Sequence, residues 1–383
     1  MTSNAKSVAL MFPAQVSHLE VATQGIADFA RQHGGWTFFI RPESYTVSLQ
    51  SLEGWNGDGV IALIDSEAET QAASRLSMPM VNLSGALRDS GSPRVMADHE
   101  RIGRVAAEHL LRCGFRRFAY YGLDDFWYSE LRCKGFAERI AEEGHSCTVF
   151  TMNSSLREGR PWHFGRKELE GWLPTLDGPV GILACDDFRA RMVVESCVHL
   201  NLEVPGFVGI VGVNNEELVC EFCTPQLSSV VRNDYEIGFQ AAALLNRLMH
   251  GEAPPEQDIL VPPGGVHRRQ STDIVGVNDP YVAAAVRFIR ENLDQQFGVK
   301  QVAAQVSVSR RCLEQGFRAQ LGCTPYEYLS RLRVERAKQL LAGTTRLKIN
   351  QIARACGFNN PLQLRRAFHR ATGTTPKHFR ETP

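Results

Sequence analysis

Arg310, Arg311, Glu314, Gln315 and Arg318 follow Ser309 at spacings that put them on one face of a helix, with Leu313 and Phe317 on the opposite face. Arginine presents a fork of donors that fits a guanine edge, and glutamine pairs a donor with an acceptor as adenine requires, so this face has the chemistry of major-groove readout. A second such face follows Asn359 and Asn360: Leu362, Arg365, Arg366 and His369 are left outward while Leu364, Ala367 and Phe368 turn inward. Far upstream the chemistry changes. Asp65, Ser84, Asp186, Asp187, Asn214 and Asn215 end short apolar runs, and in open α/β sheets small ligands bind in the crevice beyond the strands' carboxyl ends.

The elements that position the two basic faces belong to a degenerate repeat. "FRAQLGCTPYEYL" begins at Phe317 and "FHRATGTTPKHFR" at Phe368, matching at Phe317/Phe368, Gly322/Gly373, Thr324/Thr375, Pro325/Pro376 and Tyr328/Phe379, each pair 51 residues apart. Each copy follows a short apolar helix and a turn. In the first, Val302, Ala303 and Val306 precede Ser307-Val308-Ser309, which supplies the turn and the N-cap; in the second, Ile349, Ile352, Ala353 and Cys356 precede Gly357, with Asn359 or Asn360 as cap. The pattern predicts two helix-turn-helix units, at about 299–320 and 349–372. A helix opened by Pro325 and ending near Gly343 would join them; at about 1.5 Å per residue its roughly 18 residues make a strut of about 27 Å.

Charge divides the chain in the same place. Residues 275–383 hold 18 Lys+Arg against 7 Asp+Glu, a net of +11, and the preceding 274 residues hold the other 24 against 35, a net of −11. A basic module on an acidic body engages a phosphate backbone through one end only.

From 280 to 383 the chain resembles the AraC/XylS family of transcription regulators, through "VAAQVSVSRRCLEQGFRAQLGCTPYEYLSRLRVERAKQLL" and "INQIARACGFNNPLQLRRAFHRATGTTPKHFR". The resemblance implies an all-α domain of two helix-turn-helix units on double-stranded DNA, read by Ser309, Arg310, Arg311, Glu314, Gln315, Arg318, Asn360, Leu362, Arg365 and Arg366. Ser307 stands where such turns often carry glycine.

Before residue 275, "SVALMF", a helix near Val16–His33, "WTFFI", "DGVIALI", "MPMVNLS", "RFAYYGL", "CTVFTM", "VGILACDD" and "FVGIVGVNN" alternate apolar runs with amphipathic stretches. That alternation predicts two parallel α/β sheets in a body long enough for two lobes. The strings "GDGVIALI", "ACDDFRARMVVESCVHLNLEVPGFVGIVGVNNEEL" and "LSSVVRNDYEIGFQAAALLNRLMHGE" resemble the effector core of LacI-type repressors and periplasmic binding proteins. What this implies is a two-lobed α/β sugar-binding domain, 1–274, ahead of the DNA-binding domain, 275–383. Its sugar contacts would be Arg132, Asp186 or Asp187, and Asn214, with Phe12, Tyr121 or Trp127 stacking on the ring. Relatives usually carry Asp where Asn214 stands, and an amide that donates as well as accepts can shift which sugar is preferred. The resemblance further implies a homodimer, a pentose effector such as xylose, activation rather than repression, and RNA polymerase as a further partner.

Other chemistries find no support. Cys220 and Cys223 form a single close pair, whereas a structural zinc site needs a second one. No G-x-S-x-G, Walker-type loop or H-x-x-x-H helix is present, so neither catalysis nor a cofactor is expected. The first residues lack a signal-peptide layout and no apolar run reaches the ~18 residues of a membrane span, so a cytoplasmic location with reduced thiols is expected. A secreted solute receptor is disfavoured by the basic tail, and a repair methyltransferase by the absence of a four-cysteine cluster. Residues 153–166 show no periodicity and read as a loop, and 277–284 as the join between body and basic module.

Overall fold

Short buried strands separated by helices assemble as the alternation requires. In this computed structural model the described residues are 5–13, 16–40, 47–152, 165–273, 279–342 and 347–381. Residues 153–164 of the expected loop, 277–278 of the expected join and the expected strut end at Gly343 lie outside them. The chain divides into two units, Met1–Asp273 and Ile274–Pro383.

The first unit has two lobes. Strands β1 (Lys6–Met11), β2 (Trp36–Ile40), β3 (Gly59–Ala62) and β4 (Met80–Asn82) make a parallel sheet in the order β2-β1-β3-β4. An Asn82–Arg94 bridge leads on to β5 (Val95–Ala97), which pairs in parallel with β11 (Ile259–Val261). The second lobe carries β6 (Arg117–Leu123), β7 (Cys147–Met152), β8 (Val180–Ala184), β9 (Val208–Val213), β10 (Ser228–Val231) and β12 (Gly265–His267), ordered β12-β10-β9-β8-β6-β7 with only β12 antiparallel. Val180–Ala184 and Val208–Val213 are buried throughout, as strands covered on both faces must be.

The chain passes between the lobes after β5, after β10 and after β11. Strands of three or four residues are too short to show a two-residue period; β3 and β4 lie in apolar runs that extend beyond their paired residues, whereas β5, β10, β11 and β12 are flanked by polar or turn residues and give no such signal.

Besides the short helices α2 (Glu67–Ser74), α5 (Arg166–Trp172) and α7 (Glu217–Phe222), two helix pairs hold the lobes. In the first, α1 (Ser17–His33) lies on α8 (Asp234–Met249) so closely that a Cβ on Gly238 would sit 1.8 Å from the Ala22 carbonyl oxygen. In the second, α3 (His99–Arg112) meets α4 (Trp127–Glu142) in the same way: a Cβ on Gly103 would sit 2.2 Å from the Arg132 carbonyl oxygen. Only glycine lets helix backbones approach so far.

The second unit is helical: α9 (Pro280–Glu291), α10 (Val299–Gln305), α11 (Arg310–Leu321), α12 (Pro325–Ala342), α13 (Ile349–Ala355), α14 (Pro361–Thr372) and α15 (Pro376–Glu381). The repeat acquires a physical meaning position by position. Phe317 and Phe368 are fully buried, Gly322 and Gly373 end their helices at φ +65° and +71°, and the ring pairs Phe317–Tyr328 and Phe368–Phe379 both stand edge to face at 72°. Ser307 takes the left-handed turn at φ +56° where the second unit has Gly357 at +71°. α12 serves two cores, burying Leu329 with the helices of the first helix-turn-helix and Val334, Ala337 and Leu341 with those of the second.

Candidate functional sites: a ligand cleft and a nucleic-acid face

Strand ends from both lobes meet at a cleft of about 320 Å³. His18, Asp65 and Ser84 come from the first lobe, and Tyr128, Arg132, Asp186 and Asn214 from the second. The volume falls at the small end of ligand pockets.

Arg132 anchors the floor. It is only 2% exposed, its Nε donates to His99 Nδ1 at 3.2 Å, Nη1 donates to the Cys185 carbonyl, and its guanidinium lies 4.9 Å from the Tyr128 ring centroid. Because Nδ1 accepts, the proton of neutral His99 resides on Nε2. Burial first, then the Arg132, Arg232 and Arg94 charges, hold the His99 pKa well below its ordinary value, so the ring stays neutral. Burial likewise lowers Arg132, though an arginine remains charged.

Around this floor several polar groups are paired. Asp186 caps α6 (Asp187–His199), accepting from the Arg189 amide at 2.8 Å and pairing with its guanidinium at 3.3 Å. Arg232 pairs with Asp234 at 2.7 Å, and His18 Nδ1 lies 3.1 Å from Glu216 Oε1 between the lobes. Two polar atoms of cleft residues stand apart: among the described residues, Asn214 Oδ1 and Arg232 Nε are buried without a hydrogen-bond partner.

Arg132, Asp186 and Asn214, all expected at the ligand site, therefore line one cleft. Four other expectations are corrected. Asp187 is 0% exposed beneath the cleft and not part of its lining, accepting from Ser229 Oγ at 2.6 Å and from the Glu216 amide at 2.7 Å, so it supports the 214–216 segment. Phe12 is packed in the apolar core with Val8 and Leu10. Tyr121 faces the opposite side of β6 from Tyr120, stacks on Phe150 at 5.8 Å and donates to the Met152 sulfur. Trp127 lies under the Arg94 guanidinium at 4.8 Å, while its chain neighbours Phe126 and Tyr128 reach the cleft. One residue along a helix or strand turns a side chain to another face, and apolar composition alone does not say which.

The cleft residues missed by sequence reasoning include His18, His99, Tyr128, Arg232 and Asp234, and with them Phe126, Phe188, Arg189 and Glu216. Tyr128 had a signal, lying four residues before Arg132 on the same helical face. Arg232 and Asp234 follow β10, a strand too brief to be seen.

In the helical unit Ser309 Oγ accepts from the Cys312 amide at 3.2 Å, and Asn360 Oδ1, rather than Asn359, accepts from the Gln363 amide at 2.9 Å, capping α11 and α14. Arg311, Gln315 and Arg318 are exposed on α11, and Arg365 and Arg366 on α14 beside Leu362, which is 54% exposed. Arg310 is exposed too, with Glu314 held against it at 2.8 Å. Cys220 and Cys223 pack in the second lobe's core, where burial pushes the Cys223 thiol up to about 11 and Cys220 higher still. No described helix is long and apolar enough to cross a membrane.

A two-lobed α/β body with a polar cleft, carried with a double helix-turn-helix unit, defines the class of ligand-controlled DNA-binding regulators. Residues 7–96 match the XylR N-terminal domain, 107–272 the periplasmic binding protein-like domain and 302–382 a helix-turn-helix domain. The chain is 33% identical to the xylose operon regulatory protein of Escherichia coli (strain K12), over 98% of this chain and 96% of that one. It is 29% identical to that of Haemophilus influenzae, over 99% of both. The solved structure of the xylose-binding transcription activator XylR superposes with a TM-score of 0.72 at 32% identity, covering 100% of this chain and 99% of that one. The chain belongs to the family of xylose operon regulatory proteins. It is a DNA-binding transcription regulator.

Proposed function

We propose that the cleft takes a single neutral monosaccharide, xylose or a similar pentose, and that its occupancy activates pentose-use genes through the helix-turn-helix units of a homodimer. The observation that carries this reading is the pair of buried, unpartnered polar atoms at the cleft, the acceptor Asn214 Oδ1 and the donor Arg232 Nε. A hydroxyl both donates and accepts, so adjacent sugar hydroxyls satisfy both. Two of the cleft's charges are already paired, Arg189–Asp186 and Arg232–Asp234, while the Arg132 guanidinium donates to the uncharged His99 ring and the Cys185 carbonyl. The names of the relatives, regulators of a xylose operon, agree with a pentose.

Arg132, Asp186, Asn214 and Arg232 are the sugar contacts of this reading, with Phe126, Tyr128 and Phe188 supplying apolar surface. Ser309, Arg310, Arg311, Gln315, Arg318, Asn360, Leu362, Arg365 and Arg366 meet DNA, and Glu314 orients Arg310. Closing the lobes on sugar changes how the dimer presents its DNA-binding units, and a coupling of about 1–3 kcal/mol shifts DNA affinity roughly 5- to 150-fold. RNA polymerase is the further partner of an activator, and the cytoplasm its place.

Calorimetric titration with xylose, ribose, arabinose and glucose tests the reading, paired with DNA binding measured with and without each sugar. Binding of one pentose that also alters DNA affinity is expected. No heat from any of the four, or heat without a change at DNA, would sink it.

A further inference from the structure

Both helix-turn-helix units pack on α12, yet a second contact joins them directly. Arg333, midway along α12, is 8% exposed and sits at the seam between the two cores. Its Nη2 donates to the Gln295 carbonyl at 2.8 Å and lies 3.4 Å from that of Phe297, both in the segment joining α9 to α10. Its guanidinium carbon lies over two rings, 5.0 Å from the Phe297 centroid and 5.8 Å from the Phe358 centroid, the first from the leading unit's bundle and the second from the trailing unit's turn. Nε is buried without a partner, and the ion pairs of the described residues do not include Arg333.

The trailing turn presses against the same segment through its backbone. A Cβ on Gly357 would sit 2.4 Å from the Leu293 carbonyl oxygen, 2.6 Å from that of Gln295 and 2.9 Å from Arg333 Nη2. A buried guanidinium without a carboxylate is an expensive way to fill a gap, and a methionine of similar length would fill it more cheaply. What arginine adds is direction: the cation is attracted to the faces of two rings while its donors fix it to carbonyls.

We propose that Arg333 is a positioning residue for DNA recognition, locking the turn of the second helix-turn-helix unit onto the bundle of the first and so setting the spacing of half-sites that the protein accepts. The inference rests on the reading that both units engage one duplex. A rigid pair of heads pays for every base pair of mis-spacing, whereas a loosened pair adapts.

The test uses the full chain and a duplex selected by the wild type from a randomised library, with the two half-sites read by the two helix-turn-helix units of a single protomer mapped by footprinting. Affinities are then compared on that duplex and on versions with one base pair inserted or removed between the half-sites. The wild type should lose about tenfold or more on mis-spaced duplexes, the size of a mismatched base pair. Arg333→Met should reduce that ratio to about threefold or less, with Arg333→Lys between them. The loss of one positive charge weakens all duplexes alike and cancels from the ratio. If Arg333→Met does not fold, Phe358→Leu removes one stacking ring and gives the same readout. A ratio unchanged in these variants, or a wild type indifferent to spacing, overturns the proposal. Failure to select any duplex overturns instead the DNA reading on which it stands.

Discussion

Gly103 of α3 and Gly135 of α4 are the points at which those helices touch backbone to backbone: a Cβ on Gly135 would lie 2.0 Å from the Glu100 carbonyl oxygen, and one on Gly103 2.6 Å from the Phe136 amide. The contact determines where Arg132 meets His99, because α3 begins with His99 and Arg132 lies three residues before Gly135. Helix packing in the second lobe thus sets the geometry of the cleft floor.

Gly135→Ala should force the two helices apart, costing about 1–3 kcal/mol as over-packing does. The melting temperature should fall by several degrees, and the stabilisation by bound sugar should shrink with it as Arg132 shifts. Thermal melts with and without pentose check both effects, and an unchanged sugar increment would separate the glycine contact from the site.

Arg132→Met should abolish the response to sugar while leaving the salt dependence of DNA binding as it was, since Arg132 lies in the acidic body and contributes nothing to the phosphate contacts of the basic unit. Titration calorimetry together with DNA affinity at two salt concentrations reads this out. Retained sugar binding would remove Arg132 from the site.

Asp187 carries a pH signature. Burial is the largest cause of its rise from 3.8 to about 7, opposed by its hydrogen bonds from Ser229 and the Glu216 amide. The folded state therefore holds this proton more tightly than the unfolded chain, and the stability it contributes is complete below about pH 4 and lost as the pH rises through about 7. Asp187→Asn keeps the shape and removes the charge. Between about pH 5 and 8 the wild type should lose melting temperature relative to this variant, and parallel melting curves would refute the raised pKa.

The two turns should respond differently to one methyl group. Gly357→Ala meets both a positive φ and the carbonyls of Leu293 and Gln295, so a loss above about 2 kcal/mol is expected. Ser307→Gly occupies the same left-handed region with less strain but a freer unfolded chain, so its change should stay within about 1 kcal/mol. Denaturant midpoints of the two variants test the contrast, and equal effects would contradict it.

Much was legible from residue order alone. The eight sheet runs and the one helix expected of the body are present as β1–β4, β6–β9 and α1, because each carries a run of apolar residues or an amphipathic period that the sequence displays. In the helical unit, a matched Phe, Gly, Thr, Pro and aromatic specify a buried ring, a left-handed cap, an N-cap, a first-turn residue and an edge-on partner. Such roles are local, so the residue types announce them. The exposed Arg311, Gln315, Arg365 and Arg366 followed from helical spacing for the same reason.

The tertiary structure decided the rest of the cleft. Asp186 and Asp187 are neighbours of one chemistry, yet the first lines the cleft and the second lies beneath it. Tyr128 rather than Trp127 faces the ligand space, and His18 meets Glu216 from 198 residues away. The order of residues by itself determined which units form and what charge each carries, since those depend on short-range periodicity and composition. Which side chains share a pocket depended on three chain crossings and two glycine-mediated helix contacts, and these bring together residues whose separation along the chain encodes nothing of their distance in space.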